Sequence, residues 1–245
     1  PLRSQLLYGD FTVGQKDNPW QVIPTEWVKA AQARWAAMQK PSIPLTAIGG
    51  DVARGGDDQS VIVKRYGQWF APLLKYPGTD TPDGPAFAAL VTVQMEDEAT
   101  VFLDVIGIGS SAYDSLHADD QIKSPIVGVN VATRSEATDR SGKLRFRNLR
   151  AELYWKMREA LEPKKGDDLA LPPDPELLAD LCAPHWKPTP GGILIEDKEE
   201  IKKRLGRSPD CGDAAVLALQ EPVNTKIEYE SVSSREARFS KRGAW

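Results

Sequence analysis

The chain of 245 residues is 41% hydrophobic and 27% charged, proportions typical of a globular protein with a substantial core. Its formal net charge of -4 excludes a domain that is basic overall, so any nucleic-acid binding would rest on a local patch. With two cysteines, no signal peptide at its start and no apolar run as long as a bilayer, we expect neither a disulfide-rich secreted protein nor a membrane-spanning one.

The first third of the chain predicts a helix followed by three strands. After a polar lead-in, apolar side chains recur every four residues over 24–40, which predicts a helix with Thr25 as its N-cap. The three strands are expected over 45–52, 60–67 and 68–76.

The middle of the chain alternates helices and strands. An almost continuous apolar run over 99–109 is typical of a central strand that is buried on both faces. Helices are expected on either side of it, over 84–95 and 110–116, and a further strand over 124–132.

The remainder of the chain, after an exposed basic loop, is mostly helical. Asn148 is expected to cap a helix over 148–163, and Gly206 to end a helix over 198–206. The other expected elements are a helix over 175–182, a strand over 191–197 and a last helix over 208–219. This order of elements indicates a mixed α/β domain.

Two aspartates occupy strand positions where a carboxylate is costly. Asp51 ends the apolar stretch "LTAIGGD", and Asp104 lies inside "VFLDVIGIG". An ionised carboxylate in such surroundings is normally paired or bound to a metal. Each aspartate alone is equally well explained as a strand-end residue that accepts hydrogen bonds from loop amides.

Two further aspartates, Asp210 and Asp213, begin the last predicted helix in "SPDCGDAAVLAL" and share one helix face. Ser208 or Asp210 is a suitable N-cap, and acidic residues favour the positive end of a helix. Capping of the helix does not account for Asp213. The apolar residues that follow it place Asp213 near the buried side of this helix. Separated acidic positions with apolar flanks suit Mg²⁺ or Mn²⁺, and two such ions can catalyse phosphodiester hydrolysis.

Four segments, in order, carry a resemblance to a known family. They are "GGDVARGGDDQSVIVKRYG", "VFLDVIGIGSSAYDSL", "FRNLRAELYWKMREAL" and "EDKEEIKKRLGRSPDCGDAAVLAL", which resemble the C-terminal nuclease domain of the large terminase subunits of tailed bacteriophages. The stretch "LRSQLLYGDF" resembles the segment that joins the ATPase motor to that nuclease.

The resemblance implies an RNase H-like fold of the RuvC and integrase type, with a mixed central sheet flanked by helices. It also implies a two-metal endonuclease that uses Mg²⁺ or Mn²⁺ to cut concatemeric viral double-stranded DNA during genome packaging, largely without sequence preference. Carried over by position, Asp51 bridges the metals and Asp104 is the second carboxylate. Asp210 and Asp213 match the helix carboxylates, and Asp213 is the favoured ligand of the two.

We expect this chain to be the nuclease part of a longer protein. It begins with Pro and has no G-x-x-x-x-G-K-[ST] loop, so no ATPase activity is expected from it. The implied partners are an N-terminal ATPase motor, a small terminase subunit and the portal or procapsid, in the cytoplasm of the host cell. The expected organisation is a lead-in segment with one helix over 1–42, the nuclease domain over 43–222 and a charged tail over 223–245.

Basic residues form two clusters that are candidates for contact with DNA. Residues 133–165 hold ten Lys and Arg against five Asp and Glu, and a second cluster precedes the last helix. Such runs are as often solvated surfaces, whereas the functional interpretation is contact with phosphates, without base readout. The candidate DNA contacts are Lys143, Arg145, Arg147, Lys198, Lys202 and Arg204.

Two other functions stay open at this point. A stand-alone resolvase would prefer four-way junctions to linear duplex, and a docking module would hold DNA and the portal without cutting. Asp57 and Asp58 either assist the metal site or belong to a solvated turn.

Overall fold

A computed structural model describes residues 17–53 and 58–222, and every statement below is confined to them. The strands are β1 (Ala47–Asp51), β2 (Gln59–Tyr66), β3 (Trp69–Phe70), β4 (Leu74–Pro77), β5 (Thr100–Asp104), β6 (Ile126–Val129), β7 (Trp186–Thr189) and β8 (Gly192–Ile195). The helices are α1 (Thr25–Ala37), α2 (Gly84–Gln94), α3 (Gly109–His117), α4 (Leu149–Leu161), α5 (Pro175–Cys182), α6 (Lys198–Leu205) and α7 (Asp210–Ala218).

Six of the described strands form one mixed sheet. Its order is β3-β2-β1-β5-β6, and β4 also pairs with β2. β1 is antiparallel to β2 and parallel to β5, and β5 is parallel to β6. β7 and β8 form a separate antiparallel hairpin. The mixed central sheet flanked by helices that the sequence predicted is confirmed.

The sheet buries a different hydrophobic cluster on each face. All five residues of β1 are buried; Ala47 belongs to one cluster and Ile48 to the other, as expected when successive side chains of a strand point to opposite faces. Helices α2 and α3 cover the face of Ile48. Helices α1, α4, α5 and α7 supply the larger cluster on the face of Ala47.

Most predicted elements are present, with three differences. The strand expected over 68–76 is divided into β3 and β4 around Pro72, which has no N–H to donate to a sheet. The strand expected over 99–109 ends at Asp104, whose carboxylate accepts the N–H of Ile106 in a turn. Strand β7 was missed, since "WKPT" contains a proline and little apolar periodicity.

The helix caps are partly as predicted. Asn148 caps α4 by accepting the N–H of Ala151, and Gly206 ends α6 in the left-handed region at φ 76°. Thr25, by contrast, lies within α1 rather than at its cap; its N–H and its hydroxyl both donate to the carboxylate of Asp17.

The N-terminal stretch that resembles a motor–nuclease linker, Asp57 and the charged tail lie outside the described residues. In the part of the chain that is described, no helix combines the length and the apolar character needed to span a bilayer.

Candidate metal centre

Asp51 and Asp104 lie side by side at the carboxyl edge of the sheet. Gly50 of β1 pairs with Leu103 of β5 in a parallel register, and each aspartate is the next residue of its strand. Because residues in register on neighbouring parallel strands point to the same face, both carboxylates are directed to the same side of this edge. Asp51 is buried and Asp104 is half-buried.

Helix α7 brings two more carboxylates to this edge by packing directly on β1. A Cβ atom added at Gly49 would lie 2.2 Å from the carbonyl oxygen of Ala214 and 2.5 Å from the nitrogen of Ala218, so only glycine permits this approach. The start of α7, with Asp210 and Asp213, therefore lies at the end of β1.

The ammonium group of Lys198, the first residue of α6, lies among three of these carboxylates. Its Nζ atom is 3.0 Å from Oδ2 of Asp51, 3.0 Å from Oδ2 of Asp213 and 3.2 Å from Oδ1 of Asp210. The other oxygen of Asp210 accepts the N–H of Gln59. A cation thus occupies the place where the carboxylates converge.

Asp213 has two further partners on α4. The hydroxyl of Tyr154 donates to its Oδ1 atom over 2.7 Å, and Nη2 of Arg150 lies 3.3 Å from the same oxygen. Both α4 residues were outside the sequence-predicted site. Their spacing of four residues places them on one helix face, which was the available signal.

Burial and neighbouring charges give the carboxyl groups of the site different pKa values. Burial is the main cause that raises the pKa of Asp51, to about 7, against the opposing effect of Lys198, and burial also raises the pKa of Asp104. Burial acts in the same sense on Asp213, but Arg150, Lys198 and the hydrogen bond from Tyr154 outweigh it and lower the pKa of that carboxyl. At neutral pH, Asp213 is therefore the better ionised of the three.

Lys198 stays cationic in this environment. Burial alone would lower the pKa of its ammonium group, but the carboxylates of Asp51, Asp213 and Asp210 raise it well above its ordinary value. The sequence analysis proposed Lys198 as a contact to DNA phosphates. In the structure its ammonium group is instead paired with carboxylates of the acidic cluster.

The start of α7 is fixed by a buried carboxylate rather than by a cap of its own. Asp210 lies in the first turn and its side chain makes no capping hydrogen bond. The N–H groups of Cys211 and Gly212 instead donate to Oδ2 of Asp180, which is fully buried and pairs with Arg207 over 2.7 Å. Burial raises the pKa of Asp180 to about 7, although Arg207 opposes it. Asp180 therefore stabilises the helix end that carries two site carboxylates.

The other predicted DNA contacts fall into two groups. In the described part of the chain, Lys143, Arg145 and Arg147 are exposed and form no ion pair with an acidic residue. Lys202 is paired with Asp58 over 2.7 Å, and Arg204 is paired with Glu196. Among the predicted DNA contacts, those without an ion pair therefore lie in the loop before α4.

A second cluster of possible ligands has a simpler explanation. Asp174, Glu176 and Cys211 have ligand atoms within 4.8 Å of one another. The ammonium group of Lys75 lies 2.6 Å from Asp174 and 2.7 Å from Glu176, so both carboxylates are already paired. Burial raises the pKa of the Cys211 thiol above its ordinary value, which disfavours the thiolate that a metal needs.

Comparison with known proteins gives matches in structure only. No protein-family profile and no curated protein sequence matches the chain. The nuclease domain of the large terminase subunit gp2 of bacterial virus Sf6 is 19% identical, with a TM-score of 0.66 over 82% of this chain and 99% of that one. A mutant of that domain with manganese and beta-thujaplicinol is 18% identical, also with a TM-score of 0.66 over 82% of this chain and 99% of that one.

This chain has the fold of a large-terminase nuclease domain. The large terminase nuclease of thermophilic phage G20c with bound magnesium is also similar, at 18% identity and a TM-score of 0.50 over 73% of this chain and 82% of that one. The predicted RNase H-like fold is thereby confirmed. Within this terminase-nuclease fold, the acidic cluster lies at the carboxyl ends of β1 and β5, where an open α/β sheet presents its binding crevice.

Proposed function

We propose that this chain is a metal-dependent endonuclease that cuts concatemeric viral double-stranded DNA during genome packaging. One observation carries the proposal: in a terminase-nuclease fold, the Lys198 ammonium group lies within 3.2 Å of three carboxylates. A position that holds an ammonium cation among carboxylate oxygens suits a hard metal cation equally well.

The donor set fits Mg²⁺ or Mn²⁺. All four candidate ligands are carboxylates, Asp51, Asp104, Asp210 and Asp213, and the solved terminase nucleases include forms with manganese and with magnesium. Two such ions would activate a water molecule and stabilise the leaving oxygen of the phosphodiester. Asp213 remains the favoured helix ligand, since Arg150 and Tyr154 hold its carboxylate in its ionised form.

The side chains of the site have separate tasks in this reaction. Asp51 and Asp104 supply oxygens from a rigid sheet edge, and Asp180 holds the start of α7 in place. Lys198 offsets part of the negative charge of the cluster, and displacement of its ammonium group would leave these carboxylates free to hold a divalent ion. Mutual repulsion of the carboxylates would otherwise destabilise the metal-free protein.

DNA binding is assigned to the exposed basic loop before α4, through Lys143, Arg145 and Arg147. These side chains extend from a segment outside the helices and the main sheet, and contact with phosphates carries no sequence information. Cutting is therefore expected at many sequences. An ATPase motor, a small terminase subunit and the portal are the proposed partners in the complete packaging complex.

Cleavage of supercoiled plasmid DNA in Mn²⁺ tests the proposal. Asp51→Asn and Asp104→Asn should abolish nicking without lowering the thermal melt, because each replaces a carboxylate by an amide of the same shape. Asp120→Asn, an exposed aspartate away from the site, is the matched control. Full activity in either site variant would contradict the proposal, and a strong preference for four-way junctions would indicate a resolvase instead.

A further inference from the structure

Arg150 is a charged side chain next to the acidic cluster, and two of its three guanidinium nitrogen atoms are buried without a hydrogen bond. Its side chain is only 13% exposed. Its Nε and Nη2 atoms are inaccessible to solvent and have no hydrogen-bond partner. Its contacts are the ion pair with Asp213 and the ring of Tyr154, whose centroid lies 5.1 Å from Cζ.

Another buried arginine of the same protein shows what a structural role looks like. Arg65 donates to the carbonyl oxygens of Ala218, Gly67 and Gln220 over 2.6–2.9 Å. A buried donor without an acceptor costs free energy, so unused donors in a native protein require an explanation. The two donors of Arg150 that lack an acceptor carry this free-energy cost, and they lie beside the proposed catalytic carboxylates.

Arg150 also lines a cavity that opens onto the cluster. The cavity has a volume of about 280 Å³, and its polar lining includes Asp104, Asn148, Lys198 and Asp213. A ligand in this cavity would meet the guanidinium group and two of the candidate metal ligands together.

The charges of the site favour an anion as that ligand. When all four carboxyl groups are ionised, the two cationic side chains, Lys198 and Arg150, leave two negative charges, and two divalent ions would turn these into two positive charges. A guanidinium group binds phosphate with a planar fork, and Nε and Nη2 form one such fork.

We propose that Arg150 is a catalytic residue whose guanidinium group donates to a non-bridging oxygen of the phosphodiester that is cut. The cavity beside it thus receives the DNA phosphate, after the side chain turns its fork from Asp213 towards the cavity. This assignment rests on the proposed nuclease function. The competing explanation is that Arg150 acts only by positioning Asp213.

Single-turnover cleavage at saturating DNA and saturating Mn²⁺ tests the assignment with Arg150→Ala and Arg150→Lys. We expect the alanine variant to lose at least about 100-fold in rate, the usual effect of removing one donor to a charged transition state. Its Mn²⁺ affinity, measured by calorimetry, should stay within about threefold of wild type, whereas loss of a residue that only positions Asp213 would cost about 10- to 100-fold in affinity. Added methylguanidinium should restore part of the rate of this variant, and Lys123→Ala, an exposed residue before β6, is the control.

The outcomes separate this inference from the proposed function. A wild-type rate in Arg150→Ala overturns the inference and leaves the nuclease assignment standing, whereas an inactive wild-type protein overturns both. A loss of Mn²⁺ affinity of about tenfold or more, without rescue of the rate by methylguanidinium, shows that Arg150 acts through Asp213 and overturns the catalytic assignment. If the alanine variant does not fold, Arg150→Lys decides: it keeps the charge but not the fork, so a rate within threefold of wild type overturns the inference and a loss of tenfold or more supports it.

Discussion

The Nζ atom of Lys198 lies 3.0 Å from Oδ2 of Asp51, although the two residues are 147 positions apart in the sequence. The same atom is equally close to Asp213. One ammonium group thus joins the end of β1 to the starts of α6 and α7, at the place where the proposed metals bind.

Replacement of this lysine should separate stability from metal binding. In EDTA, Lys198→Met should lower the free energy of unfolding by about 1–3 kcal/mol, because it removes the cation that three carboxylates share. This is less than the cost of breaking a fully buried pair, since the Lys198 side chain is 37% exposed. Mn²⁺ should bind the variant more tightly than wild type, because no internal cation competes for the carboxylates.

Urea unfolding and calorimetric titration with Mn²⁺ measure the two effects of Lys198→Met. Lys123→Met removes an exposed lysine at the opposite end of the sheet and should change neither quantity. Weaker Mn²⁺ binding by Lys198→Met would mean that the lysine supports the metal site rather than competing with the metal.

The pKa of Asp51 predicts how stability depends on pH without metal. The folded protein retains this proton up to about pH 7, whereas the ordinary pKa of 3.8 applies after unfolding. Between these values the folded state binds more protons, so this group contributes a loss of stability as pH rises from about 4 to about 7. Asp180 has the same sign and adds to it.

Asp51→Asn should remove its part of this slope. In EDTA, the difference in melting temperature between the variant and wild type should therefore grow in favour of the variant from pH 4 to pH 7. A difference that is constant over this range would show that Asp51 does not hold the proton.

Asp180 should matter to activity without touching the site. Asp180→Ala removes the acceptor of two N–H groups at the start of α7 and leaves Arg207 unpaired, which should cost about 3 kcal/mol of folding free energy. Displacement of Asp210 and Asp213 should also weaken Mn²⁺ binding. Asp180→Asn, which keeps one acceptor oxygen, should lose less in both measurements; equal stability of Asp180→Ala and wild type in urea would contradict this.

The exposed loop before α4 should account for salt-dependent DNA binding. Arg145→Ala and Arg147→Ala should each weaken binding to unrelated duplexes by similar factors and reduce the slope of log affinity against log salt by about 1. Lys202→Ala should have a smaller effect, because its ammonium group is paired with Asp58. Fluorescence anisotropy in Ca²⁺ or EDTA, at several salt concentrations, provides the comparison.

The acidic positions were accessible from the sequence because each breaks a local pattern. Asp51 and Asp104 interrupt apolar strands, and parallel strands place their carboxyl ends at one edge. Asp213 had no capping role, and the first turn of α7 is held by Asp180 instead of by Ser208 or Asp210. No local sequence pattern could reveal that Asp180 accepts these hydrogen bonds, since Asp180 lies on another helix.

The partners of the carboxylates were decided by the tertiary structure. Lys198, assigned from the sequence to a basic surface cluster, reaches the acidic cluster because α6 begins beside the start of α7. Tyr154 and Arg150 lie in a helix whose sequence shows an apolar stripe, and only its packing directs them to Asp213.

The sequence by itself determined most of the order of strands and helices, apart from β7 and the division between β3 and β4, and the positions of Asp51, Asp104, Asp210 and Asp213, since side-chain polarity and periodicity are local properties. The tertiary structure decided which groups surround each carboxylate. Those contacts depend on strand order and on the close approach of α7 to Gly49, through which residues distant in the sequence share one desolvated, charged environment.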